Sequence, residues 1–148
     1  ETGQQTTVET PGINQKRYLA GALHADTGTI TTVEGDSHDT DLLLELLEDL
    51  RLRYRGFSKI HVIMDNAPSH RSNATEEWFE AHDRLEAVFQ PKYHPWVNRI
   101  ERLWKQLHAT VTRHHRFDDL EQLMDAVDQF VTAAEPFPGS DPRMAKAA

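Results

Sequence analysis

The sequence has no cysteine among its 148 residues, so neither a disulfide framework nor a thiolate metal site is available. This composition is compatible with a reducing compartment. The chain also lacks any apolar run near the roughly 18 residues that a membrane-spanning helix requires, so we expect no membrane partner. Residues 1–5 have neither the basic nor the apolar region of a signal peptide. The first residue, Glu1, is not a methionine, which suggests an internal fragment.

Net positive charge is lacking as well. The 24 acidic residues outnumber the 16 Lys and Arg residues, which gives a formal charge of −8. Taken alone, this argues against a nucleic-acid binder, because phosphate neutralisation needs cations. The charge is uneven, however: residues 90–116 contain six Lys or Arg and a single Glu. We interpret the acidic stretches elsewhere as solvated helix faces.

The predicted order of elements is strand, strand, helix, strand, helix, strand, helix, helix. Strands are predicted at residues 17–23, 29–34, 60–64 and 85–89, and helices begin near residues 40, 73, 98 and 118. The first helix has leucines at helical spacing, the third has an apolar stripe of Ile100, Leu103, Trp104, Leu107 and Val111, and the fourth is capped by Asp118. A hairpin followed by alternating elements indicates an α/β sandwich with a mixed sheet. We predict an extended arm over residues 1–16, one domain over residues 17–135, and a flexible tail over residues 136–148.

Two carboxylates are candidates for chemistry because of their positions. Asp65 directly follows the apolar strand 60–64, at the strand end where α/β sheets bind ligands; the alternative is an ordinary turn residue. Glu101 lies in the first turn of a helix, three residues after Asn98. That spacing also fits a capping box, in which the Glu only bonds the helix cap. One helix and one strand separate the two acids, enough to bring the chain back to the same edge of the sheet.

Two sequence boxes resemble those of a known family. Residues 63–70, Ile-Met-Asp-Asn-Ala-Pro-Ser-His, resemble the hydrophobic–Asp–Asn–Ala–x–x–His box of DDE-superfamily transposases. Residues 91–104, Pro-Lys-Tyr-His-Pro-Trp-Val-Asn-Arg-Ile-Glu-Arg-Leu-Trp, resemble their P-x-Y-S-P-x-x-N-P-I-E-x-x-W box, with His94 for Ser and Arg99 for the second Pro. The order and spacing match mariner-like, insertion-sequence transposases, and the resemblance extends over about residues 11–130.

The resemblance implies a ribonuclease-H-like mixed sheet flanked by helices. It also implies that three acids hold two Mg²⁺ or Mn²⁺ ions, with Asp65 as the second acid and Glu101 as the third. The implied reaction is DNA cleavage at transposon ends followed by strand transfer into double-stranded target DNA, in a prokaryotic cytoplasm and at the nucleoid when active. The implied DNA-binding residues are Lys92, Arg99, Arg102, Lys105, Trp96 and His70.

The family's first Asp lies on a strand upstream of residues 17–23, and residues 4–14 resemble the linker that follows that strand. We therefore predict that the first, central strand is missing and that its neighbours expose unpaired edges. A homodimer formed by strand exchange, or poor folding, is then expected, with weak metal binding and no cleavage.

Local alternatives remain for several of these residues. His70 also suits a helix-entry residue with local hydrogen bonds, and His108, His114 and His115 suit a solvated helix end. Trp78 and Trp104 are predicted to be core, which leaves Trp96 for DNA. Two other functions stay open: a non-catalytic binding or assembly module with this fold, and another ribonuclease-H-like nuclease. The Asn-x-x-Glu box before a Trp helix disfavours the second.

Overall fold

The computed structural model describes residues 2–9, 16–37, 39–90, 100–112 and 119–137. In these residues five strands form one sheet: β1 (Thr2–Glu9), β2 (Lys16–Leu23), β3 (Ile30–Gly35), β4 (Ile60–Met64) and β5 (Leu85–Phe89). The helices are α1 (Thr40–Arg53), α2 (Asn73–Ala81), α3 (Ile100–Leu107) and α4 (Leu120–Ala134), with a 3-10 helix at Pro68–Arg71 and a π turn at His108–Thr112. The strand order is β3-β2-β1-β4-β5. The mixed sheet flanked by helices confirms the predicted fold class.

The central position of the sheet is occupied by β1, so the prediction that the first strand is missing was wrong. β1 pairs antiparallel with β2 along eight residues and parallel with β4 at Thr2↔Ile63 and Gly3↔Met64. β2 therefore has a partner on both sides, and the stated reason for expecting strand exchange is removed. β1 has the sequence TGQQTTVE and contains no aspartate.

The two faces of the sheet have separate cores, because side chains alternate along a strand. In β2, Leu19 and Leu23 pack with α3 and α4, while Ala20 and Ala22 pack with α1 on the opposite face. The apolar stripe predicted for α3 is confirmed: Ile100, Leu103, Trp104, Leu107 and Val111 are all buried. Trp78, also predicted to be core, packs at the margin of the α1 side and is half-buried.

Helix starts follow N-cap chemistry. Asp39 begins α1 by accepting a hydrogen bond from the backbone N–H of Leu42 at 3.1 Å, which satisfies an otherwise unpaired donor. α4 is capped by Asp119, which accepts from Gln122 N–H at 2.8 Å. The sequence had indicated Asp118, which lies outside the described residues. No helix in the described ranges is long and apolar enough to cross a membrane.

The start of the predicted tail is packed rather than loose. Phe137 is buried against the α3–α4 core, and its N–H donates to the carbonyl of Gly28 at 3.0 Å. Gly28 has φ 75°, and a Cβ there would lie 2.7 Å from the Phe137 nitrogen, so only glycine suits this turn. Glu135 adds a second tie, because its carboxylate accepts from Ile30 N–H at 2.6 Å. The remaining tail, residues 138–148, lies outside the description.

Candidate functional site

Asp65 stands where β4 ends, as the sequence predicted. Its Oδ1 accepts a hydrogen bond from the backbone N–H of Ala67 at 3.0 Å, which is the local turn that aspartate favours. Pro68 then starts the 3-10 helix, so the chain turns away from the sheet. The Asp65 side chain is 33% exposed. The residue therefore turns the chain and presents its carboxylate to solvent at the same time.

His70 holds the Asp65 carboxylate. Its Nδ1 lies 2.8 Å from Asp65 Oδ1 and 3.1 Å from the Asp65 carbonyl oxygen. Both neighbours only accept hydrogen bonds, so Nδ1 carries the proton and donates it. His70 is 2% exposed, and this burial favours the local alternative over the predicted direct contact with DNA.

Asn66 and Arg71 make a second contact across the same loop. Asn66 Oδ1 accepts from Arg71 Nε at 3.2 Å and from Arg71 Nη2 at 2.6 Å. The guanidinium lies 3.7 Å from the centroid of the Phe89 ring. Asn66 also donates from Nδ2 to the carbonyl of Gln90 at 3.1 Å, which ties the loop to the end of β5. The sequence analysis missed Arg71; a basic residue directly after the His70 box was the available signal.

Gln90 completes this end of the sheet. Its backbone N–H donates to the Met64 carbonyl at 2.8 Å, one step beyond the paired residues of β4 and β5. Its Nε2 is buried and has no hydrogen-bond partner among the described residues. Residues 91–99 follow, so the predicted Lys92, Trp96 and Arg99 lie outside the description, as does the Asn98 cap.

Glu101 is half-buried in the first turn of α3, and a close packing contact sets the position of that helix. A Cβ built on Gly21 would lie 2.5 Å from Trp104 Cη2 and 3.4 Å from Ile100 Cδ1. The first turn of α3 therefore crosses β2 at Gly21. The Trp104 indole fits there because glycine has no side chain. The indole Nε1 is buried and has no hydrogen-bond partner among the described residues.

The strand register brings this turn towards Asp65. Gly21 pairs with Gln4, and Gly3 pairs with Met64, so one step further along both strands Gln4 is level with Asp65. Adjacent strands lie about 4.8 Å apart, which places Gly21 and Asp65 about 10 Å apart across β1. The first turn of α3 therefore crosses β2 at about the level of Asp65 in β4. Within the described ranges, however, no three His, Cys, Asp or Glu side chains form a metal-binding group.

Two of the predicted DNA-binding residues can be placed on α3. Arg102 and Lys105 are both exposed on the solvent side of the helix, opposite its buried stripe. No acidic residue in the described part of the chain forms an ion pair with either of them. Both cations are therefore available to an anionic partner at this end of the molecule.

Comparison with known proteins shows which family this chain belongs to. The model of a family described as DDE superfamily endonuclease matches residues 1–124. The insertion element IS630 uncharacterized 39 kDa protein of Shigella sonnei is 43% identical over 144 residues, which cover 97% of this chain and 42% of that protein. The chain therefore spans less than half the length of that relative.

Solved structures show the same fold. The Mos1 transposase catalytic domain with raltegravir and Mg superposes with a TM-score of 0.72 at 18% identity, over 98% of this chain and 79% of that one. A pre-cleavage Mos1 transpososome gives a TM-score of 0.70 at 16% identity, over 99% of this chain and 53% of that one. These likenesses confirm the ribonuclease-H-like fold predicted from the sequence.

Proposed function

This chain belongs to the DDE superfamily endonuclease family, and from that premise we propose that it is the catalytic part of an insertion-element DNA transposase. The proposed activity is metal-dependent cleavage of DNA at transposon ends and strand transfer into target DNA. One observation carries the proposal: the partly exposed Asp65 carboxylate, fixed by His70 and Ala67, stands at the same end of the sheet as the α3 turn that contains Glu101.

The donor set fits a hard divalent cation in part. Carboxylate oxygens are ligands that Mg²⁺ and Mn²⁺ prefer, and we propose that Asp65 and Glu101 hold the metal. When bound, such ions activate water or a 3′-hydroxyl and stabilise the leaving oxygen. The contribution of His70 is positional, because its Nδ1–H fixes the orientation of the Asp65 carboxylate. Gln4, level with Asp65 in the register, supplies no carboxylate.

Double-stranded DNA is the proposed partner. The exposed Arg102 and Lys105 support it, together with Lys92, Arg99 and Trp96 from the sequence boxes, and solved relatives include a Mos1 paired-end complex with the left transposon end. A homodimer and a prokaryotic cytoplasmic location remain proposals, as does the identity of the ion. Because no acid of β1 is level with Asp65, we propose that this chain binds metal weakly and does not cleave DNA.

Titration of Mn²⁺ into the chain tests the site. Asp65→Asn should weaken binding about tenfold or more, because it removes a charged ligand, and Glu101→Gln should act in the same direction. Asp128→Asn, in an acidic cleft on the other side of the molecule, is the matched control and should leave the affinity unchanged. Equal Mn²⁺ affinity in wild type and Asp65→Asn would refute the site.

A nicking assay on supercoiled DNA with Mg²⁺ or Mn²⁺ tests the proposed inactivity, and no product is expected from the unmodified chain. Nicking that disappears in Asp65→Asn would show that the chain is competent without an acid at position 4. The absence of an Asp in β1 also favours a second candidate, a non-catalytic binding module that keeps the fold. That candidate predicts DNA binding that does not respond to Mn²⁺ or to Asp65→Asn.

A further inference from the structure

We propose that Arg71 is a phosphate-binding residue that holds the DNA strand beside Asp65. This inference rests on the proposed function and deepens it, because it assigns a contact that the family boxes do not identify in this sequence. The class of ligand is a phosphodiester of the nucleic-acid backbone. Four features of Arg71 carry the argument: its place in the loop, its unneutralised charge, its remaining donors and its support by an aromatic ring.

The loop between β4 and the 3-10 helix is closed by two adjacent side-chain contacts. The inner one joins Asp65 to the buried His70, and the outer one joins Asn66 to the exposed Arg71. Both contacts span five residues, so the carboxylate and the guanidinium are anchored on consecutive residues at each end of the loop. Consecutive Cα atoms are about 3.8 Å apart. The proposed metal ligand, Asp65, and the residue that anchors the cation, Asn66, are therefore neighbours in the same loop.

The hydrogen-bond partner of Arg71, Asn66, does not neutralise the positive charge of the guanidinium. Asn66 is neutral, and no described residue places a carboxylate within ion-pair distance of the Arg71 guanidinium. Two other arginines are neutralised by ion pairs: Arg17 pairs with Asp36, and Arg51 pairs with Glu48. An exposed cation whose position is fixed without an acidic partner is suited to an anion from outside the chain.

Arg71 also keeps donors for that anion. A guanidinium has five N–H groups; Asn66 engages one on Nε and one on Nη2, and no described residue engages the other three. The remaining donors lie on Nη1 and Nη2, the pair that forms parallel hydrogen bonds with two phosphate oxygens. The Phe89 ring supports the plane of the group at 3.7 Å. The side chain is thus ordered before a ligand arrives, which lowers the entropy lost on binding.

The alternative is that Arg71 only stabilises the loop. The salt dependence of DNA binding distinguishes this role from phosphate binding. Each phosphate contact contributes about 0.9 to the slope of log K against log salt on duplex DNA. For the 148-residue chain binding a short duplex, Arg71→Gln should reduce that slope by about 0.9, and Arg71→Lys should restore most of it. If Arg71 only stabilises the loop, Arg71→Gln would change the melting temperature and leave the slope of log K against log salt unchanged.

Arg55 supplies the matched control. It is an exposed cation just after α1, where the chain is tied to the beginning of β4 by hydrogen bonds from Arg84 to Tyr54 and from Ile60 to Arg84. It therefore lies at the opposite end of β4 from Asp65, and Arg55→Gln should leave the slope unchanged. Equal slopes for wild type and Arg71→Gln would overturn the inference alone, provided that wild type binds DNA. A wild-type chain that does not bind DNA at low salt would overturn the proposed function as well.

The absence of cysteine allows a second, direct test. In Arg71→Cys the new thiol is the only one in the chain, so it can be trapped with a duplex that carries a disulfide tether on one backbone phosphate. Cross-linking is expected for Arg71→Cys and not for Arg55→Cys. Equal yields from the two variants would contradict a phosphate site at position 71.

Discussion

Two regions of this molecule differ in how their charged side chains are arranged. The 65–71 loop and α3 carry two acids, Asp65 and Glu101, together with the exposed cations Arg71, Arg102 and Lys105. Along β3, by contrast, one cleft is lined by Glu34, Glu45, Asp49 and Asp128. The net charge of −8 is therefore segregated by region. A local surface with the sign that DNA requires exists within an acidic chain, so net charge alone is a poor guide to the partner.

The acids of the two regions also differ in whether hydrogen bonds fix the orientation of their carboxylates. Asp65 is oriented by a buried histidine and a backbone N–H. Among the described residues, the side-chain carboxylates of Glu45, Asp49 and Asp128 have no hydrogen-bond or ion-pair partner. The fourth acid of the cleft, Glu34, has only a 3.8 Å ion pair with Arg17. This contrast indicates that orientation, rather than the number of acids, distinguishes a candidate metal site from a solvated acidic surface.

The largest effect is expected from adding an acid to the Asp65 end. Gln4→Asp places a third carboxylate level with Asp65, and the added ligand charge should raise Mn²⁺ affinity by on the order of tenfold or more. Nicking of supercoiled DNA should then become measurable. Gln5→Asp is the matched control, because adjacent residues of a strand face opposite sides of the sheet. Equal Mn²⁺ affinity in the two variants would contradict the register-based location of the missing acid.

A smaller effect is expected from disturbing the helix that carries Glu101. In Gly21→Ala the new Cβ would lie 2.5 Å from the Trp104 ring, so the indole and α3 must shift. We expect a loss of about 1–3 kcal/mol in the free energy of unfolding, as for other overpacked cores. Gly56→Ala, where a Cβ meets nothing within 4 Å, should change it by less than about 0.5 kcal/mol. Urea unfolding of both variants provides the comparison, and similar midpoints would show that α3 is not set by this contact.

The smallest effect is expected from neutralising the acidic cleft. Glu45→Gln combined with Asp128→Asn reduces long-range repulsion of DNA, and we expect about a twofold gain in affinity near 0.01 M salt, where the Debye length is about 30 Å. The gain should vanish near 0.3 M salt, because these residues make no direct contact with the proposed site. A gain that persists at high salt would show that the cleft itself faces the DNA.

Sequence patterns predicted the elements whose apolar spacing is strong. β4 and β5 were found at their predicted bounds, and the leucine stripe of α1 and the Trp104 stripe of α3 are buried as expected. β1 was missed because TGQQTTVE has no apolar alternation, and only its pairing with β2 defines it. The cap of α4 was misplaced by one residue because Asp118 and Asp119 are equivalent as sequence signals.

The sequence identified the acids of the candidate site but not the contacts around them. Asp65 was identified from its place after a strand and from its box, but its contact with His70 depends on the tight turn that Pro68 begins. Arg71 was missed because its importance comes from contacts with Asn66 and Phe89. Such contacts join residues on separate elements and leave no periodic signal in the sequence.

The hydrogen bond between Gly28 and Phe137 bears on where this folding unit can be cut. It joins the β2–β3 hairpin to the segment after α4, so it closes a chain loop that includes α1, α3 and α4. A contact between such distant residues forms only after the intervening elements have been brought together, and non-local contacts of this kind are associated with slower folding. A unit trimmed at residue 135, the boundary that the sequence suggested, would lose the buried Phe137 ring and open the end of its α3–α4 layer. The packed unit therefore includes Phe137.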